Sequence, residues 1–268
     1  MKDKKFDFNR FGKLFVSDLK NAYAQFGNTL LILVIAAHVS WITGLVFHFG
    51  DALNECYPTA RCIVACTVCT LAVYMAPSRI YKNVNIPGKG NYFAMLPASL
   101  PEKFVSMLIM CIVVVPVIYM LSFFVLDVLL TALPFGPYKE FIWKTELDVI
   151  IDRVTDFAAV TPRMLVQSLL SAVGGASLFV MTNTIFKTHK FSKTIMWIII
   201  ISFALSLVSV PIAQIVGYDI IEWMQDIMSS YSEEKIVNAV MWISMIVSAV
   251  VDFVLLFVTY RRLKRMQY

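Results

Sequence analysis

Charge is scarce in this chain. Asp, Glu, Lys and Arg make up 15% of its 268 residues, apolar residues make up 59%, and the mean hydropathy is +0.74. A soluble domain carries nearer a quarter charged residues, so a water-soluble globule is excluded. Histidine is rarer still, with His38, His48 and His189 alone and no H-E-x-x-H, which removes the commonest zinc-hydrolase arrangement. The sequence has no G-x-x-x-x-G-K-[ST], so a P-loop ATPase is not encoded within it. Cysteine is sparse too. Cys62, Cys66 and Cys69 have the C-x3-C-x2-C spacing of some iron–sulfur sites. That spacing lies along one helix face within an apolar run, and thiols strung over about 10 Å do not converge on a cluster. They are read as small packing residues. Cys56 stands alone outside the apolar runs, so no disulfide framework is expected. With no nucleophile–base pair and no ligand set, the chain is not expected to be an enzyme or to hold a cofactor or metal.

What the sequence does hold is long apolar runs. Six stand out: Phe26–Phe49, Cys62–Met75 (extending to Ser78), Phe104–Val125, Met164–Phe186, Ile195–Val216 and Val237–Tyr260. A helix needs roughly 20 such residues to cross a hydrocarbon core of about 30 Å. Backbone groups in lipid must be satisfied within the segment, so the runs read as helices. The expected fold is all-α, a polytopic membrane protein with six transmembrane helices. The whole chain, 1–268, reads as one membrane domain: residues 1–25 an amphipathic elbow, 26–260 the six-span bundle, 261–268 a basic tail.

Lys and Arg set the expected orientation. Residues 1–25, 79–103, 187–194 and 261–268 share one side and hold 17 Lys/Arg against 4 Asp/Glu. The opposite stretches hold 6 Lys/Arg against 12 Asp/Glu. Both termini are therefore expected in the cytoplasm. The basic residues flank spans in short clusters, so the net charge of +5 marks topology and not a nucleic-acid partner. The first run begins too late and is too long for a cleaved signal, and is expected to remain as the first span. Before it, Phe8, Phe11, Phe15, Leu19, Ala22 and Phe26 recur at three- and four-residue steps, with Arg10, Lys13, Ser17 and Lys20 off that face. This is an amphipathic helix suited to the headgroup region, in contact with membrane lipid. Two amphipathic helices are expected on the outer side, over 140–158 and around Ile220–Tyr231. Asp148, Asp152 and Asp156 in the first are read as a solvated stripe, because carboxylates in line on one helix do not converge on a cation.

The connection between spans two and three contains YFAMLPASLPEK, residues 92–103. Pro97 and Pro101 interrupt regular helix. Ser99 followed by Glu102 fits a capping box, with Pro101 inside the first turn. A helix is thus expected to start near Leu100, after the turn-rich Pro87-Gly88-Lys89-Gly90.

The FAMLPASLPEKF stretch resembles the "LPAS…EKF" segment that precedes the third span in many bacterial ABC transporter permeases of the type-2 exporter class. The basic amphipathic start, six spans and a tail reading Thr-Tyr-Arg-Arg-Leu-Lys-Arg follow the same order. Pro101 departs from the usual pattern. The resemblance implies a permease subunit of an ATP-driven exporter in a bacterial inner membrane. It implies an ABC ATPase subunit as partner and a second permease copy or paralogue. It also implies a coupling helix in the connection between spans two and three, with Leu96, Pro97, Ser99, Glu102 and Lys103 as the matching positions. A non-transporting membrane scaffold or sensor is the alternative.

Few polar groups lie within the spans. His38 and Asp252 are ionisable, and Ser244, Ser248 and Asp252 follow one another at four-residue steps on span six. Such groups usually face the bundle interior. They are candidates for a substrate or proton path, with interhelical hydrogen bonding as the other reading. Asp127, near the outer end of span three, is read as interhelical. The mostly apolar spans lean towards an amphipathic or lipidic cargo. Small residues on span four (Ser171, Ala172, Gly175, Ala176) and span five (Ser202, Ser206, Ser209, Ala213) are expected to let helices approach, and Pro116 and Pro211 to kink spans three and five.

Overall fold

A computed structural model describes residues 6–46, 57–86, 95–133, 161–208 and 233–266. All elements among them are helical. In chain order they are α1 (Phe8–Val46), α2 (Tyr57–Ile80), α3 (Leu100–Ala132), α4 (Thr161–Ile185), α5 (Lys190–Val208) and α6 (Glu233–Met266). All six are long and apolar enough to cross a membrane, so the chain is a multi-pass membrane protein with an all-α fold. The two outer-side helices, the turn at 87–90, His48, Cys56, Ser209, Pro211 and Ala213 lie outside the described residues.

The amphipathic start and the first span are one unbroken 39-residue helix. At 1.5 Å per residue it is about 58 Å long, roughly twice the hydrocarbon thickness. Its proximal third therefore extends beyond the core. Of the apolar stripe, Phe8 and Leu19 are 81% and 38% exposed, while Ala22 and Phe26 are buried. The buried line is Leu14, Asp18, Ala22, Phe26, Leu30 and Val34, at strict four-residue steps.

The second helix is the hub, packed against α1, α3 and α4. Ala65, Cys69, Ala72, Ala76 and Ile80 form its buried seam. Small side chains suit this place, because association within lipid depends on close van der Waals contact and not on the hydrophobic effect. In α3, Met110–Val114 is a π-helical turn. Pro116 lies two residues on, and a proline lacks the N–H that the preceding turn would have bonded. The π-turn thus stands beside the residue expected to interrupt this span. The tightest pairing joins α4 and α6. The fifth helix meets the bundle near its start, where Thr194 is buried and Phe191 lies 5.6 Å from Phe179, while Ile199 and Phe203 are exposed.

Candidate functional site

Three polar centres sit in this bundle. The first lies at the proximal end, where α1 and α3 begin. Glu102 is in the first turn of α3 with its side chain fully buried. One carboxylate oxygen accepts from the Ser99 N–H at 2.8 Å, the acidic half of a capping box. The other accepts from the Asp7 N–H at 2.8 Å and the Arg10 guanidinium at 3.0 Å. A single carboxylate therefore fastens the start of α1 to the start of α3.

Further along the same ends, Asp18 is buried and accepts from the Ser106 hydroxyl at 2.6 Å and the Tyr81 hydroxyl at 3.3 Å. This joins α1, α3 and the end of α2. The last carbonyls of a helix have no intrahelical donor. Side chains from other segments supply them here. Asn21 donates to Ile80 O, Asn183 to Tyr81 O, Asn85 to Ile185 O and Arg262 to Thr184 O. The proximal ends of α1, α2, α3, α4 and α6 are bound into one polar collar.

The second centre is towards the distal end. Arg61 of α2 and Asp127 of α3 form an ion pair at 2.9 Å, their side chains 1% and 0% exposed. His38 of α1 is buried beside it, stacked on Phe123 with ring centroids 4.3 Å apart. The ion pair joins α2 to α3, and His38 on Phe123 joins α1 to α3. Asp127 is thus buried and bonded between helices, as expected for it, with Arg61 as its partner.

The third centre joins α4 and α6. Asp252 is buried, with its carboxylate against Gly174. A Cβ at Gly174 would overlap the Asp252 carboxylate, so the missing side chain is what admits it. One turn away, Gln167 donates to the Ser248 hydroxyl at 3.2 Å. Ser244 donates to the Met241 carbonyl of its own helix. Ser248 and Asp252 therefore lie on the α4–α6 seam, while the Ser244 bond stays within α6. His38 belongs to the second centre and does not meet it.

The coupling candidates divide by exposure. Ser99, Glu102 and Lys103 are buried, Lys103 to 2%. Pro97 is exposed and Leu96 half-buried, with Met95 beside them 78% exposed. The Cys62, Cys66 and Cys69 thiols differ in surroundings, half-buried, exposed and buried in turn. No three His, Cys, Asp or Glu side chains gather to hold a metal among the described residues.

Sequence reasoning passed over Asp18, Arg61, Tyr81 and Ser106. Asp18 had a signal, since it falls on the four-residue line of Leu14, Ala22 and Phe26. Arg61 had one as well: it stands at the distal start of α2, level with the distal end of α3, which carries one of the two acids placed within spans. Set against known proteins, the chain matches no family model, no curated protein and no solved structure.

Proposed function

We propose that the chain is the membrane-spanning permease subunit of an ATP-driven exporter of the ABC type, moved by a separate ATPase subunit. The supporting observation is the proximal collar. The FAMLPASLPEKF segment ends in a helix that continues from Leu100 to Ala132, and Glu102 fastens that helix to α1. A push on residues 95–97 would reach two spans at once through rigid structure. Met95 and Pro97 project from the fold, and with Leu96 they supply an apolar contact for a partner. Ser99, Glu102 and Lys103 are the frame behind that contact. The excess of Lys and Arg at this end supports a cytoplasmic placement. The broadly apolar, exposed α5 leaves room for a second copy or a paralogue beside the chain.

The test is co-purification of an ATPase with the full chain, followed by ATP turnover in reconstituted vesicles. Met95→Asp combined with Leu96→Asp is expected to release the ATPase or uncouple its turnover, with the thermal stability of the membrane chain unchanged. An ATPase that stays bound and coupled in the double variant overturns the contact. If no ATPase co-purifies with the wild-type chain, the permease reading fails and a scaffold or sensor takes its place.

A further inference from the structure

A groove of about 570 Å³ runs between α1 and α3. Small-molecule sites span about 300–1,000 Å³. On α1 it is lined from Leu19 to Val34, a length of about 23 Å, and on α3 from Met110 to Leu126, a similar length. The two helices run in the same direction, so the groove follows them. Its walls are apolar almost throughout. The hydroxyl of Ser122 in the α3 wall is already satisfied by the Ile118 carbonyl at 2.8 Å and asks nothing of a ligand. Gly27 opens the α1 wall, and the π-turn of α3 contributes Met110 and Val114 to the other.

Among the described residues that line it, only the proximal mouth carries a charge. Lys20 stands there, exposed, with no ion pair among the described residues. Tyr23, 83% exposed, is beside it. A lysine and a tyrosine at the end of an apolar surface are what a membrane interface selects, since each keeps a polar tip in the headgroup layer.

We propose that this groove holds one acyl chain of an anionic phospholipid, with the phosphate of its headgroup on Lys20. A volume of about 570 Å³ spread over about 23 Å makes a long, narrow, apolar groove, the form of a single hydrocarbon chain. The charge decides the headgroup, because Lys20, the cationic group among the described lining residues, stands at the end that must carry the polar part of the lipid. The lipid then bridges α1 and α3 along the stretch where the protein does not fill the space between them.

The experiment is native mass spectrometry of the full chain in detergent, titrated with phosphatidylglycerol and with phosphatidylcholine of the same acyl length. One phosphatidylglycerol is expected to be retained at about tenfold lower concentration than phosphatidylcholine, a difference of about 1.4 kcal/mol. Lys20→Glu should remove that preference, while Lys187→Glu, another exposed lysine at the same end, should keep it. Gly27→Leu and Ile118→Phe, which fill the groove from opposite walls, should each weaken both lipids at least tenfold. Gly27→Ala checks folding: a Cβ there lies 3.4 Å from the Tyr23 ring, ordinary contact, so this variant should fold and lose less. Retention of lipid by both filled variants overturns the proposal, as does a headgroup preference that survives Lys20→Glu. A change of oligomeric state on filling, without loss of lipid, overturns it too and makes a second copy the occupant.

Discussion

Removing Arg61 alone should damage this protein more than removing both Arg61 and Asp127. The two side chains are 1% and 0% exposed and 2.9 Å apart. Arg61→Met leaves the Asp127 carboxylate enclosed among α1, α2 and α3 without its guanidinium. Breaking a buried pair on one side costs about 3–5 kcal/mol, because the remaining charge keeps its desolvation penalty and loses its attraction. Asp127→Leu leaves the guanidinium in the same position and should cost a similar amount. Replacing both by apolar residues removes both penalties, and such replacements range from neutral to about 1–4 kcal/mol stabilising. The double variant should then be at least about 3 kcal/mol more stable than either single one. His38 should remain stacked on Phe123 in all three, since that contact uses neither charge. The assay is reversible unfolding in mixed micelles followed by tryptophan fluorescence, run as a double-mutant cycle. Additive single costs, with the double variant the least stable of the four proteins, would refute the reasoning. The pair would then not be coupled, and the stability of this end would rest on packing.

Two further predictions concern the other centres. Glu102→Ala strands the Asp7 and Ser99 N–H groups and removes the Glu102–Arg10 bond between α1 and α3, at about 1–3 kcal/mol for an unsatisfied buried group; trypsin should then cut at Arg10 and Lys13 faster than in the wild type, while sites beyond α1 stay protected. Gly174→Ala drives a methyl into the Asp252 carboxylate and should cost about 1–3 kcal/mol by overpacking; Asp252→Ala in the same chain should restore thermal stability, which a steric conflict elsewhere would not allow.

The bundle was legible because its signal is length. Six apolar runs are hard to read any other way, and each of the six described helices contains or overlaps one of them. Facing was less legible. Within α1 the expected apolar stripe shares Ala22 and Phe26 with the buried line, but that line also runs through Leu14 and Asp18, which the stripe did not include. In lipid, apolarity does not distinguish a face turned to the bundle from one turned to hydrocarbon. The residues that mark the buried side of a span are the polar ones, and Asp18 was the marker. Asp252 and His38 were read by that rule and are buried. The contact that admits Asp252 depends on Gly174, a residue that carries no side-chain signal of its own. The capping box at Ser99 and Glu102 was readable from spacing. The partners that Glu102 finds in Asp7 and Arg10 were not, because they come from more than ninety residues away.

Those partners change what the LPAS-EK likeness can be asked to carry. Glu102 has work inside the chain: it caps α3, satisfies the Asp7 N–H and pairs with Arg10. A fold that fastens α1 to α3 would keep this carboxylate whether or not any ATPase touched it. Lys103 is buried beside it, so reversing either charge would injure the fold before it reported on a partner. Residues with no internal task discriminate better. Met95 is 78% exposed in a chain whose exposed apolar residues lie mostly on membrane spans, yet it sits outside all six. Residues 95–97, ahead of the charged pair, are therefore the place where coupling to a partner can be tested without first breaking the protein.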